Sequence, residues 1–311
     1  MNFSTKTKNE IIKREIDKKC CKISLLSGFL RTGAVIEING GMVGFSVVGE
    51  IKVLKYIAKI INSCYGDEPV IKTDASKEQR ACLEIFSVSS AKILQDCKIL
   101  ELGDETVTLR ADIDEVLVKN ACCKIAFITG VFLGSGTVTV PNMDKPSTTG
   151  YHLEFVFSKK YTAKQFCDLY SSFDFFPKLI NRKDTYVVYI KNAEAVNDTL
   201  TLLGAINSSL ALTDIIMRKE IKNKLNRAMN CEMSNMNKSI DSSFSDRKAI
   251  QVIIDTIQLE NLDKNLQTVA KARLEHEDLS LSQLAQLLDI SKSCLSHRLR
   301  KIREIAKELE E

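Results

Sequence analysis

The chain is 311 residues long, 44% hydrophobic and 27% charged, with a formal net charge of +4, four Pro and no Trp. The length predicts about two domains, and a composition near the globular average excludes a disordered tail, a collagen and a coiled-coil rod. The charged N-terminus, MNFSTKTKNEIIKREI, lacks the apolar core of a signal peptide. The longest uncharged run, Ile125 to Met143, is broken by Gly130, Gly134, Gly136 and Pro141, so a buried helix leading into a strand is expected rather than a membrane span.

Ten cysteines are present, none in a CxxC pair, with two adjacent pairs at Cys20–Cys21 and Cys122–Cys123. With only three His and no zinc-finger spacing, a set of reduced thiols in the cytoplasm is expected, and neither a metal site nor a cofactor.

In chain order, an internal repeat comes first. Residues 20–36 read CCKISLLSGFLRTGAVI and residues 122–138 read CCKIAFITGVFLGSGTV, aligned without gaps. Each copy is followed by strand-like runs (AVIEI and MVGFSVV; TVTV and YHLEFVF), a helical pattern and further strand-like runs. Two αββαββ units are therefore expected in tandem, at about 8–105 and 110–212, making an α+β domain over 1–212. The repeated helices are apolar nearly all round and predicted to be buried, and a mid-helix Gly (Gly28, Gly130) predicts close approach of another backbone.

A glycine-centred helix pair feeding strands, repeated about a hundred residues apart, resembles the LAGLIDADG homing-endonuclease fold. In active members of that family the penultimate residue of the nonapeptide is an acid, and two such acids hold divalent metal at the scissile phosphates. The matching nonapeptides are LSGFLRTGA (Leu26–Ala34) and ITGVFLGSG (Ile128–Gly136), which place Gly33 and Ser135 at the acid positions. Neither supplies a carboxylate, and Arg31 nearby would repel a metal, so the resemblance implies a degenerate domain without that catalytic site. The enzymatic alternative is a metal-dependent endonuclease using acids outside the motif, such as Asp112, Asp114 or Glu154.

Residues 213–245 form an Asn/Arg-rich helical linker, with Thr213 as its cap and Ile221, Leu225 and Ala228 on one stripe. The segment carries Arg218, Lys219, Lys222, Lys224 and Arg227, and Arg227 is a candidate DNA contact. Its Ser-rich end, SIDSSFSD, reads as a flexible joint.

Residues 246–311 read as a helix-turn-helix domain. Ser280 with Gln283 has capping-box spacing for a helix over about 281–288, with Leu284, Leu287 and Leu288 on its apolar face. Ser291 can cap a second helix from Lys292 to about Leu309, on which Leu295, Leu299, Ile302 and Ile305 face inward. The N-terminal part of such a helix enters the major groove. Lys292, Ser293, Ser296 and His297 are then base-edge candidates, and Arg298, Arg300, Lys301 and Arg303 phosphate anchors.

The whole arrangement resembles the WhiA family, on GVFLGSGTV, YHLEFVF, NRKDTYVVYIKN, NKLNRAMNCEMSNMNKSID and SKSCLSHRLRKI. The resemblance covers nearly the whole chain. It implies a non-enzymatic, sequence-specific DNA-binding protein that regulates transcription, tied to cell division and chromosome segregation, and to sporulation in some relatives. Its partner is then double-stranded DNA, with a transcription or division protein as a further one. The expected location is the cytoplasm, in association with the nucleoid, and the oligomeric state stays open, a monomer being one option. A chromosome-associated adaptor without a transcriptional role stays open beside it.

Overall fold

The computed structural model describes residues 2–39, 42–73, 79–103, 106–142 and 150–310. Met143, which closes the long uncharged run, and residue 105, the expected limit of the first repeat, lie outside these. Two compact units are formed, Met1–Lys219 and Glu220–Glu311.

The first unit opens with α1 (Phe3–Ile11) and α2 (Lys19–Gly33). Then come β1 (Ala34–Asn39), β2 (Met42–Glu50), α3 (Ile51–Tyr65), β3 (Val70–Thr73), β4 (Arg80–Ile85) and α4 (Val88–Asp96). A short hairpin, β5 (Leu100–Leu102) and β6 (Val107–Leu109), leads through a 3-10 turn (Glu115–Val118) to α5 (Ala121–Ser135). The second copy continues with β7 (Thr137–Thr139), β8 (His152–Phe157), α6 (Lys160–Ser171), β9 (Lys178–Arg182), β10 (Thr185–Ile190) and α7 (Ala193–Leu202). The two four-stranded antiparallel sheets have equivalent orders, β1-β2-β4-β3 and β7-β8-β10-β9. The duplication expected from the sequence is thus present, with an extra helix closing each copy. In the first copy, strand β4 ends at Ile85 and the chain turns into α4 from Val88.

Helices α2 and α5 lie side by side in parallel at the centre, and glycine makes this possible. A Cβ on Gly28 would stand 2.2 Å from the Phe127 carbonyl oxygen, and one on Gly130 would stand 2.0 Å from that of Leu25. Only a residue without a Cβ lets the backbones come so close. Leu25, Leu26, Phe29, Phe127, Ile128, Val131 and Phe132 are almost wholly buried around this contact and join one core with both sheets. Helix α1, unannounced by any apolar period, is capped by Asn2 and docks on β7 through Ser4, whose Oγ donates to the Val138 carbonyl at 2.9 Å.

The long helix α8 (Ile206–Thr256) starts seven residues before the Thr213 cap read from the sequence. Its first turn is capped from a distance: the Glu10 carboxylate accepts from the Asn207 and Ser208 amides at 2.6 and 2.9 Å. A carboxylate there satisfies orphan N–H groups and complements the helix dipole. Thr213 lies inside the helix and donates to the Ser209 carbonyl instead. Residues 213–245 all belong to α8, and the stretch SIDSSFSD is helical rather than a joint. Burial overrides its local preference for turns: Asp246 is fully buried, and the buried Ser243 donates to the Glu277 carbonyl at 2.9 Å.

In the second unit, a 3-10 turn (Leu259–Asn261) leads to α9 (Lys264–Glu275), α10 (Leu281–Leu287) and α11 (Lys292–Glu310). Ile250, Ile253, Leu266, Val269, Leu284, Leu295, Leu299 and Ile302 form its core. Leu287, read as part of the apolar face of α10, is 54% exposed, because the inward positions of this short helix are taken by Leu284 and Ala285. Among the described residues no helix is long and apolar enough to cross a membrane.

Candidate nucleic-acid interface

Helix α10 begins with a reciprocal capping box. Ser280 Oγ accepts from the Gln283 amide, while the Gln283 side chain accepts from the Ser280 amide at 3.0 Å. Its end is a Schellman turn: Ile290 N–H donates to the Ala285 carbonyl at 3.0 Å and Asp289 N–H to that of Gln286 at 3.2 Å. Asp289 takes the left-handed conformation this closure needs, with φ +51°. Its short polar side chain tolerates that region, so the turn forms without glycine. Ser291 Oγ then accepts from the Cys294 amide at 3.2 Å at the head of α11.

The two faces of α11 separate by chemistry. Leu295, Leu299 and Ile302 are buried, whereas Lys292, Ser293, Ser296, His297, Arg300 and Lys301 are exposed and Arg298 is half-buried. Arg300 reaches Glu304 at 3.6 Å in an exposed pair, a contact weak enough to exchange for a phosphate.

Arg303 departs from the expectation of a phosphate anchor. Its Nη1 donates to Asp246 Oδ1 at 2.7 Å, and the wholly buried Arg273 lies 3.5 Å from Asp246 Oδ2. Burial pushes the Asp246 carboxyl up, while Arg303 and Arg273 pull it down. Arg273 also donates to the Leu279 carbonyl at 2.7 Å. Arg303 therefore ties α11 to α8 and α9, and a one-dimensional reading of charge could not distinguish it from Arg300.

Arg227 is exposed on α8, with Nε 3.3 Å from the Asn223 carbonyl, amid the exposed Asn226 and Asn230. The stripe holding Ile221 and Leu225 is also exposed, at 57% and 60%.

In the first unit, the degenerate acid positions close the central helices. A Cβ on Gly33 would meet nothing within 4 Å, and Ser135 Oγ accepts from the Val156 amide at 3.1 Å. Arg31 does not stand as a free cation there. Its guanidinium donates to the carbonyls of Lys98 and Arg110 at 2.6 and 3.0 Å, and burial lowers its pKa to about 10. The acids outside the motif are also engaged. Arg110 binds Asp112 at 2.5 Å and Asp114 at 3.2 Å, and Glu154 is bound by His152 at 3.0 Å and Arg182 at 3.1 Å. Among the described residues, the one group of three potential metal ligands consists of Cys20, Cys21 and Cys123.

A duplicated α+β domain built on two glycine-notched helices, followed by a capped helix pair, defines a LAGLIDADG-like domain joined to a helix-turn-helix unit. Family models agree: the WhiA LAGLIDADG-like domain matches residues 124–222, and the WhiA C-terminal HTH domain matches residues 225–306. The chain is 34% identical over 315 residues to the probable cell division protein WhiA of Alkaliphilus metalliredigens, covering 98% of each. Against the protein of that name from Bacillus subtilis it is 32% identical, covering 99% of this chain and 97% of the relative. The chain belongs to the WhiA family. The crystal structure of full-length DUF199/WhiA from Thermatoga maritima has the same fold, with a TM-score of 0.59 at 21% identity over 99% of both chains.

Proposed function

We propose that this chain is a non-enzymatic, sequence-specific binder of double-stranded DNA that regulates transcription, in the service of cell division and chromosome segregation. The observation that carries the reading is the two-faced α11, whose first turns present Lys292, Ser293, Ser296 and His297 while Leu295 and Leu299 are buried. In this reading those four residues face base edges in the major groove. Arg298, Arg300 and Lys301 hold phosphates, and Arg227 adds a backbone contact from α8. Arg303 serves indirectly, by fixing α11 on its neighbours. The naming of relatives as probable cell division proteins supports the process, and a transcription or division protein is the expected second partner at the nucleoid.

An endonuclease is less well supported. The acid positions are held by Gly33 and Ser135, and Asp112, Asp114 and Glu154 are each bound by arginine. Mg2+-dependent nicking of plasmid by the purified chain, abolished in Glu154→Gln, would revive that reading.

Selection of bound fragments from genomic DNA in EDTA, at near-physiological salt, tests the main one. Enrichment of a short shared motif near promoters is expected, while even coverage would favour a chromosome-associated adaptor. On the enriched site, Arg300→Ala with Lys301→Ala should weaken binding to all duplexes and flatten the salt dependence by about 1.8 in log–log slope. His297→Ala should instead change base preference.

A further inference from the structure

The four paired cysteines, 102 positions apart in the chain, meet at the N-terminal ends of the two central helices. Cys21 Sγ stands 4.0 Å from Cys123 Sγ, and the sulfurs of Cys20, Cys21 and Cys123 all lie within 4.8 Å of one another. The fourth, Cys122, directly precedes Cys123 at the head of α5, as Cys20 precedes Cys21 at the head of α2, so each repeat brings the same two residues to this end of the pair. A tetrahedral ion with metal–sulfur bonds of about 2.3 Å holds its sulfurs about 3.8 Å apart. The Cys21–Cys123 separation is already close to that edge.

We propose that Cys20, Cys21, Cys122 and Cys123 form a site for one Zn2+ ion that clamps α2 to α5. Hydrophobic packing does not account for the set, because Cys20 and Cys122 are exposed while Cys21 and Cys123 are buried. An all-thiolate donor set selects a soft or borderline cation over Mg2+ or Ca2+. Binding converts four thiols to thiolates and releases four protons for each Zn2+ taken up, leaving a site of net charge −2. That charge falls at the second and third residues of two helices, where dipoles and unpaired amides favour anions. Ions have a route in, since Cys21 and Cys122 line an open cleft of about 340 Å³ with Arg14, Asp17 and Lys18. The site lies at the opposite end of the helix pair from Gly33 and Ser135, so it is separate from the degenerate endonuclease positions. Zinc-finger spacing fails to announce it because its two halves belong to different repeats.

The test is titration of the full chain, stripped of metal and kept reduced without oxygen, with cobalt(II) chloride and then zinc chloride. One Co2+ per chain should give the intense visible bands of tetrahedral cobalt and sulfur-to-cobalt charge transfer in the near ultraviolet. One equivalent of Zn2+ should bleach both and raise the Tm of the wild type. Cys20→Ser with Cys122→Ser, at exposed positions, should leave the metal-free melting curve unchanged and abolish the bands, whereas Cys231→Ser on α8 should keep them. Absence of charge transfer in the wild type, or its persistence in the double variant, would overturn the proposal. So would a chain isolated two mass units light, restored by dithiothreitol, which would make Cys21 and Cys123 a disulfide-forming pair.

Discussion

Arg303 of α11 donates to the buried Asp246 of α8 at 2.7 Å, so a single carboxylate fixes the roll of the exposed helix face against the core. Replacing Asp246 with Ala strands the wholly buried Arg273 and releases Arg303 together. Loss of one partner from a buried ionic group costs about 3–5 kcal/mol. Urea unfolding of Asp246→Ala should show that loss in the second unit. Arg300→Ala, at an exposed pair, should unfold within about 0.5 kcal/mol of wild type.

The central seam predicts a sharp contrast between glycines. Gly28→Ala and Gly130→Ala each push a methyl into a backbone carbonyl that cannot turn aside, and each should cost about 3 kcal/mol or more. Gly33→Ala meets nothing within 4 Å and should be neutral or stabilising by up to about 1 kcal/mol. Thermal melts of the three variants decide it, and equal costs at all three would refute the seam.

Asp289 holds φ +51° at the tip of the helix-turn-helix, where glycine has no steric penalty. Asp289→Gly should stabilise the second unit by roughly 0.5–1 kcal/mol, the relieved strain being partly offset by the greater entropy of unfolded glycine. Denaturant midpoints at constant slope would measure it, and a decrease in stability would show that the aspartate side chain contributes more than its backbone costs.

Asp112 gives a pH signature with a definite sign. Its hydrogen bonds from Arg110 hold its carboxyl below the ordinary 3.8, so the folded chain binds a proton there less readily than the unfolded chain. The stability it contributes is present above about pH 4 and is lost as pH falls through the folded value. Asp112→Asn should therefore unfold more easily than wild type at pH 7, with the gap narrowing steadily as the pH falls below 4. A gap that does not narrow with acidification would mean the effect is not ionic.

Much of this fold is legible in the sequence because its evidence is local or repeated. The two CCKI copies announce α2 and α5, and Ser280, Gln283 and Ser291 mark the turn of the helix-turn-helix within a residue or two. What stays hidden depends on distant partners. The start of α8 is capped by Glu10, 197 positions away, so Thr213 looks like the better beginning. SIDSSFSD reads as a joint until Asp246 is seen to face Arg273 and Arg303. For the DNA-facing residues, periodicity separates the buried leucines of α11 from its polar side, but sequence cannot tell a cation that meets solvent from one that meets Asp246.

The reciprocal glycine notches of α2 and α5 also govern how this chain can be dissected. A fragment carrying the first repeat alone presents a helix whose groove is shaped for a near-copy of itself, with Gly28 ready to receive another chain's carbonyl. Such a fragment has a natural partner in its own twin, and its assembly would follow protein concentration rather than chain connectivity. Expression boundaries drawn between the repeats would thus exchange an intramolecular pair for a homodimer, and binding measured on that product would describe a different molecule.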